Sequence, residues 1–276
     1  MGILISGSYK TASTQVILGL AGIIPVSTLI KFNAVKRFYA LKQLPFFDCN
    51  LHRNIPVCCS IIDSIHFFGL SQFTEIEQAV LPNQIHPANF SQIQYSIVFE
   101  NEKLPKNSDT LIYWIFTDGS KIRNKVGAGF AIYSSKNPFV PIAESSFQLP
   151  DYATVYQAEL VGVQMAASFF VDSSSSFSFK AQEGVTYFLI DNKAAIFTSA
   201  YPKKKSSSLA FKNNFLIKNA FPDTVSLNYV PAHKGHFGNE RADFLTKNGA
   251  YIGIAVLDVK WSFGVLELLN KFLKQG

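Results

Sequence analysis

Leu111-Ile-Tyr-Trp-Ile-Phe-Thr-Asp118-Gly-Ser120 is the stretch from which the rest of the chain is read. A strand covered on both faces shows a continuous apolar run rather than alternation, and Leu111–Asp118 has that form. It ends on an acid at the place where open α/β sheets put their sites. Val126–Ser134 and Phe139–Leu149 predict two further strands, with turn-forming residues between them. Thr154-Val-Tyr-Gln157 is a capping box, after which Tyr156, Leu160, Val163, Ala167 and Phe170 recur at helical spacing. Val185–Asp191 is another apolar strand, followed by a short helix from Asn192 to about Ala200. A helix over about Ser206–Ala220, a strand Val225–Pro231 and a helix from about Asn239 to Lys247 complete the series. The order βββαβααβα predicts an α/β domain with a mixed sheet.

Upstream the pattern changes. Ser13–Ala21 and Ser27–Leu41 predict two helices broken by Gly22 and Pro25, and residues 45–105 give no dependable period. The polar run Asn101–Asp109 reads as a linker. The expected organisation is a mainly helical N-terminal extension (1–105), the α/β domain (108–251) and a C-terminal tail (252–276).

The 276 residues allow one large or two small domains, and 48% hydrophobic against 16% charged residues excludes a disordered chain. Three cysteines (Cys49, Cys58, Cys59) make no disulfide framework and point to an intracellular setting, cytoplasmic or nuclear. The net charge of +6 is compatible with nucleic acid. It is concentrated in residues 111–276, with 17 Lys+Arg against 12 Asp+Glu, where residues 1–110 have 8 against 7. The longest apolar run, Val16–Ile30, contains Pro25 and is too short for a membrane span. Met1-Gly2-Ile3-Leu4-Ile5-Ser6 fits the short myristoylation pattern, which chance often matches, and the chain is expected to be soluble.

Four acids stand at informative places. Asp118 and Asp191 each end a strand; if those strands are parallel neighbours, both carboxylates emerge at one edge. Glu159 lies in the first turns of the capped helix, and Asp243 in the first turn of the last, within Gly238-Asn-Glu-Arg-Ala-Asp243. Each has an ordinary reading: a turn at Asp118-Gly119, a solvated Glu159 near a helix start, and Asp191 as cap of the helix that follows. Together they make a different case. Crowded carboxylates raise one another's pKa unless a cation neutralises them, and oxygen-only ligands favour Mg²⁺ or Mn²⁺ over zinc. Two such ions about 3.5–4 Å apart can clamp a phosphodiester.

Thr-Asp118-Gly-Ser, Gln-Ala-Glu159-Leu, Ile-Asp191-Asn-Lys-Ala-Ala and His233-Lys-Gly-His-Phe-Gly-Asn-Glu-Arg-Ala-Asp243 together resemble the type 1 ribonuclease H family. The resemblance spans residues 111–250 and includes Gly127-Ala-Gly129 of the second strand. It implies a five-stranded mixed sheet flanked by helices, and endonucleolytic cleavage of the RNA strand of an RNA–DNA hybrid by two Mg²⁺ ions, with Mn²⁺ as substitute. It also implies that Asp118, Glu159, Asp191 and Asp243 hold the metals and that His233 assists proton transfer or product release. Gly119, Ser120 and Asn192 stand at the strand ends, where the scissile phosphate is expected. Asn192 departs from the Ser of many members.

Two other readings stand beside this one: a decayed, non-catalytic nucleic-acid-binding module of the same fold, and a related exonuclease. Retention of all four acids and His233 favours catalysis; the Asp-Gly-Ser turn and the Gly-Asn-Glu-Arg-Ala-Asp helix start favour the ribonuclease H type. Ser8–Thr14 followed by Leu18–Pro25 resembles the segment after the polymerase core in arthropod-type non-LTR retrotransposon reverse transcriptases. That implies the C-terminal piece of such a polyprotein. Lys203-Lys-Lys205 reads equally as a phosphate contact or a solvated loop. Cys49, His52, Cys58 and Cys59 have a loosely zinc-like spacing, though free cysteine is usually a small buried apolar residue.

Overall fold

The computed structural model describes residues 24–42, 56–71, 76–77, 92–97, 111–173, 184–203, 206–221 and 225–260. The predicted helix Ser13–Ala21, the linker Asn101–Asp109, Cys49, His52 and Lys204–Lys205 lie outside them, as do the side chains of Cys58 and Cys59. Packing divides the chain into two units, Met1–Gln78 with Phe263–Gly276, and Ala79–Ser262.

In the first unit, α1 (Val26–Lys42) and α2 (Pro56–Phe67) are the described helices. α1 opens directly after Pro25, whose carbonyl accepts from Leu29 N at 3.0 Å; proline is tolerated there because first-turn N–H groups need no helical partner. Phe32, Val35 and Tyr39, spaced three and four apart, form its buried face. The Tyr39 hydroxyl donates to Leu70 O at 2.8 Å.

The second unit is built on one sheet. Its elements are β1 (Gln94–Ser96), β2 (Leu111–Ile122), β3 (Lys125–Ser134), β4 (Ala143–Leu149), α3 (Val155–Ser173), β5 (Gly184–Ile190), α4 (Lys193–Ala200), α5 (Ser208–Ala220), β6 (Val225–Tyr229), α6 (Phe237–Ile252) and β7 (Ile254–Ala255). The strand order is β1-β6-β5-β2-β3-β4-β7. β5 runs parallel to β2 and β6, whereas β3 is antiparallel to β2 and β4, so the sheet is mixed.

The unbroken apolar run of β2 follows from its burial on both faces. Tyr113 and Ile115 join the core formed with α3, α4 and α5, while Ile112, Trp114 and Phe116 join Ala242 and Leu245 of α6. Each fully buried side chain of this size stabilises the fold by roughly 1.5–3 kcal/mol. α6 lies close on β3: a Cβ on Gly127 would sit 2.2 Å from Thr246 O and 2.5 Å from Ala250 N. Only glycine permits that approach.

Three expectations are corrected. The sheet has seven strands: the five expected ones form its centre, and β1 and β7 extend its edges. Strands of two or three residues carry no readable alternation and exist because β6 and β4 offer them an unpaired edge. The third expected strand begins at Ala143, not Phe139; Phe139 is 81% exposed in the preceding turn. The last helix starts two residues earlier than expected and runs five further. Beyond it, Tyr152 and Gln157 side chains bond the carbonyls of Val259 and Lys260, at 2.7 and 2.8 Å. Residues 94–96 and 254–260, read as extension and tail, are thus part of this unit. Among the described residues no helix is long and apolar enough to cross a membrane.

Candidate active site

Parallel pairing of β2 with β5 ends at Thr117↔Ile190, so Asp118 and Asp191 leave the paired region side by side. β5 stops there because Asn192 caps α4, its Oδ1 accepting from Ala195 N at 3.1 Å. The cap is therefore Asn192, and Asp191 remains available. On α3 the capping box is formed in both directions: Gln157 N donates to Thr154 Oγ1 at 3.1 Å, and Thr154 N to Gln157 Oε1 at 3.0 Å. That fixes the helix start at Val155, four residues ahead of Glu159. A Cβ on Gly119 would lie 2.3 Å from Glu159 N, so the α3 backbone rests directly on β2 just past the point where it parts from β5.

The outcome is a cluster of three acids. One ligand oxygen each of Asp118, Glu159 and Asp191 lie within 4.8 Å of one another. Asp118 and Glu159 are buried, which overturns the ordinary expectation of a solvated Glu159. Asp118 Oδ2 and Glu159 Oε2 are enclosed with no hydrogen-bond partner. Burial first, then the charges of Asp191 and Asp243, pushes the Asp118 carboxyl up to about 7. Burial and then the Asp118 and Asp191 charges hold Glu159 well above the ordinary carboxylate range. Asp191 is raised by burial, an effect that a hydrogen bond from Asn239 and the nearby His233 partly oppose.

Buried acids with orphaned oxygens and one another's charges to bear suit a divalent cation, and an all-oxygen donor set suits a hard one. The donors fit such an ion. Asp243 stands outside the three-acid group: Lys247 Nζ donates to its Oδ2 at 2.6 Å, although its charge is felt by Asp118 and Asp191. Exposed His233 lies on the loop before α6 with φ of 52°, in the left-handed region, and Gly235 follows with φ of 78°. Gly119 is buried, and its N–H partly offsets the rise of the Asp118 and Glu159 carboxyls. Ser120 Oγ is enclosed without a partner, and Asn192, besides capping α4, bonds Glu159.

Asn239 is the residue that sequence reasoning passed over. It is 2% exposed, bonds Asp191, and has its own Oδ1 buried without a partner. A signal existed: Asn239 and Asp243 are four apart on one helix, hence on one face.

Among known proteins, the family model described as RNase H matches residues 111–251. No curated protein matches the chain. Similar solved structures include RNase H1 from the halophilic archaeon Halobacterium salinarum NRC-1 (18% identity over 50% of this chain and 96% of that one, TM-score 0.38). LC11-RNase H1, isolated from compost by a metagenomic approach, has 21% identity over 52% and 96%, with TM-score 0.41. Its complex with an RNA/DNA hybrid has 19% identity over 50% and 96%, with TM-score 0.40.

Proposed function

The chain belongs to the RNase H family, and on that premise we propose that it cleaves the RNA strand of RNA–DNA hybrids as a divalent-metal-dependent endonuclease. The observation that carries this reading is the triad Asp118, Glu159 and Asp191, the first two buried with one carboxylate oxygen each unsatisfied. Mg²⁺ is the proposed ion, with Mn²⁺ as substitute; Asp118, Glu159 and Asp191 would hold it. Asp243 would complete a second position once released from Lys247. Bound there, the metal would supply Lewis-acid stabilisation of phosphate charge and a nucleophilic water at neutral pH.

The chain's own groups do the rest. Gly119 N–H and Asn192 favour the charged forms of these carboxylates. Ser120, just beyond the last β2–β5 pair, is proposed to line the site together with Gly119 and Asn192. His233, outside the cluster on a glycine-containing loop, is assigned to carry a proton toward the departing 3′-oxygen or to assist product departure. A hybrid is recognised through its shape, its backbone and the 2′-hydroxyls of the RNA strand, so little sequence preference is expected.

Residues 8–25 and the three cysteines support a further reading, as the intracellular C-terminal piece of a non-LTR retrotransposon polyprotein. A source transcript without a polymerase frame upstream would refute it.

The deciding assay incubates labelled hybrid, duplex DNA and duplex RNA with the full chain in Mg²⁺, Mn²⁺ or EDTA. Cutting of the hybrid's RNA strand alone, abolished by EDTA, is expected. Efficient cutting of duplex DNA would point to a general nuclease, and inertness on every substrate to a decayed module.

A further inference from the structure

α6 packs one face on β2, β3 and β4, where Ala242, Leu245 and Thr246 are buried. Its opposite face carries a stripe of aromatic rings. Phe237, Phe244 and Tyr251 recur every seven residues and so share one side of the helix, 43%, 50% and 53% exposed. Phe139, on the turn before β4, sets its ring 6.0 Å from that of Phe237 and continues the patch. Val140, Ile142 and Ile252, all exposed, adjoin these rings in sequence. Arg241 stands between Phe237 and Phe244, its guanidinium 5.1 Å from the Phe244 ring and its charge paired with Glu144 of β4.

Size is the first argument about what covers this face. With about 150–250 Å² for a whole aromatic side chain, the exposed parts of the four rings amount to roughly 350–550 Å². The largest apolar patch of a typical monomer is about 300–600 Å², and the aliphatic neighbours are still to be added. Each partner of a standard interface contributes about 800 Å².

We propose that this face pairs with the same face of a second copy of the chain, the two α6 helices lying antiparallel about a two-fold axis at Phe244. A two-fold interface demands that the patch complement itself, and the stripe does. Phe237 and Tyr251 stand seven residues to either side of Phe244, so Phe237 of one copy meets Tyr251 of the other. Glu240 and Lys247 share one flank, four residues before Phe244 and three after it. The axis therefore sets Glu240 of each copy opposite Lys247 of the other, two contacts between opposite charges. Both groups have capacity for them. One Glu240 oxygen accepts from Gly235 N, which leaves the second, and the Lys247 ammonium bonded to Asp243 keeps two further donors. On the other flank Arg241 meets Asn248, so no like charges oppose there.

Sedimentation equilibrium of the full chain from about 1 to about 100 µM should show a monomer–dimer equilibrium. Phe244→Glu brings two carboxylates together on the axis, at a position exposed enough to accept them, and should be monomeric throughout. If that variant does not fold, Phe139→Ser, in an exposed turn, takes its place and should weaken association about tenfold. Cysteine cross-linking under a mild oxidant reads the register, with the parent beside it to account for Cys49, Cys58 and Cys59. Phe244→Cys should give a disulfide-linked dimer, because its thiol meets its own copy. Tyr251→Cys should not: at 1.5 Å per residue the two positions lie about 21 Å apart along the helices, and a disulfide needs Cα atoms within about 7 Å. A chain that stays monomeric to about 100 µM would overturn the proposal and leave the face to a different protein. A dimer that survives Phe244→Glu, or that cross-links as readily through position 251 as through 244, would overturn it as well.

Discussion

Lys247 Nζ and Asp243 Oδ2 are 2.6 Å apart across one turn of α6. The fourth acid of the expected set is thus already paired with a cation of its own chain, and that cation also draws on Asp118. Lys247→Gln removes this competitor. Mg²⁺ should then bind about two- to fivefold more tightly, a modest gain because the pair is half exposed and screened by water. Calorimetric titration at low salt measures it, and weaker binding would show that Lys247 supports the site instead.

Asp118→Asn, which keeps shape and removes charge, should abolish hybrid cleavage while the fold survives. Retention of more than about a tenth of parental activity at saturating Mg²⁺ would contradict a carboxylate at the centre of a metal site.

The same variant reports on stability. Folded Asp118 keeps its proton up to about pH 7, whereas the unfolded carboxyl releases it near 3.8. Between these values the unfolded state binds fewer protons, so stability falls as pH rises. Metal-free protein should therefore melt at progressively lower temperature from about pH 4 to about pH 7. Asp118→Asn should flatten that slope, leaving the part due to Glu159 and Asp191, which are raised in the same direction. Melting curves in EDTA across the range are the measurement; an unchanged slope refutes the assignment.

His233→Ala should slow turnover by about 10²-fold or less, the range of one acid–base contribution, and leave Mg²⁺ affinity as it was. A variant that no longer binds Mg²⁺ would move His233 into the metal site.

Gly127→Ala tests the seat of α6. The added Cβ would meet backbone atoms, Thr246 O and Ala250 N, which cannot turn aside as a side chain can. A loss of about 1–3 kcal/mol is expected on denaturant unfolding. A change below roughly 0.5 kcal/mol would mean that α6 shifts freely on β3.

Much of the site was legible because its signals are local. The Thr154–Gln157 box marks the start of α3 within four residues, and Leu111–Asp118 shows its burial by its composition. Asn192 was legible as a strand-end residue but not as the α4 cap, a role that the ordinary reading gave to Asp191. Asn239 was hidden, since a polar residue in a first helical turn looks solvated until the helix is docked. Thr246, in the middle of α6, was hidden because its partner lies 128 positions away.

The sequence alone determined the order of the central elements, the four acids and the positions at strand ends and helix starts where they stand. These follow from periodicity, capping and apolar runs, which act over a few residues. Only the tertiary structure decided that Asp118, Glu159 and Asp191 gather while Asp243 pairs with Lys247. It alone added β1 and β7 to the sheet, and it alone set Thr246 Oγ1 against the Asp118 carbonyl. Strand register, helix docking and the burial that raises a carboxyl depend on which surfaces exclude water together, and no short window of sequence contains both surfaces.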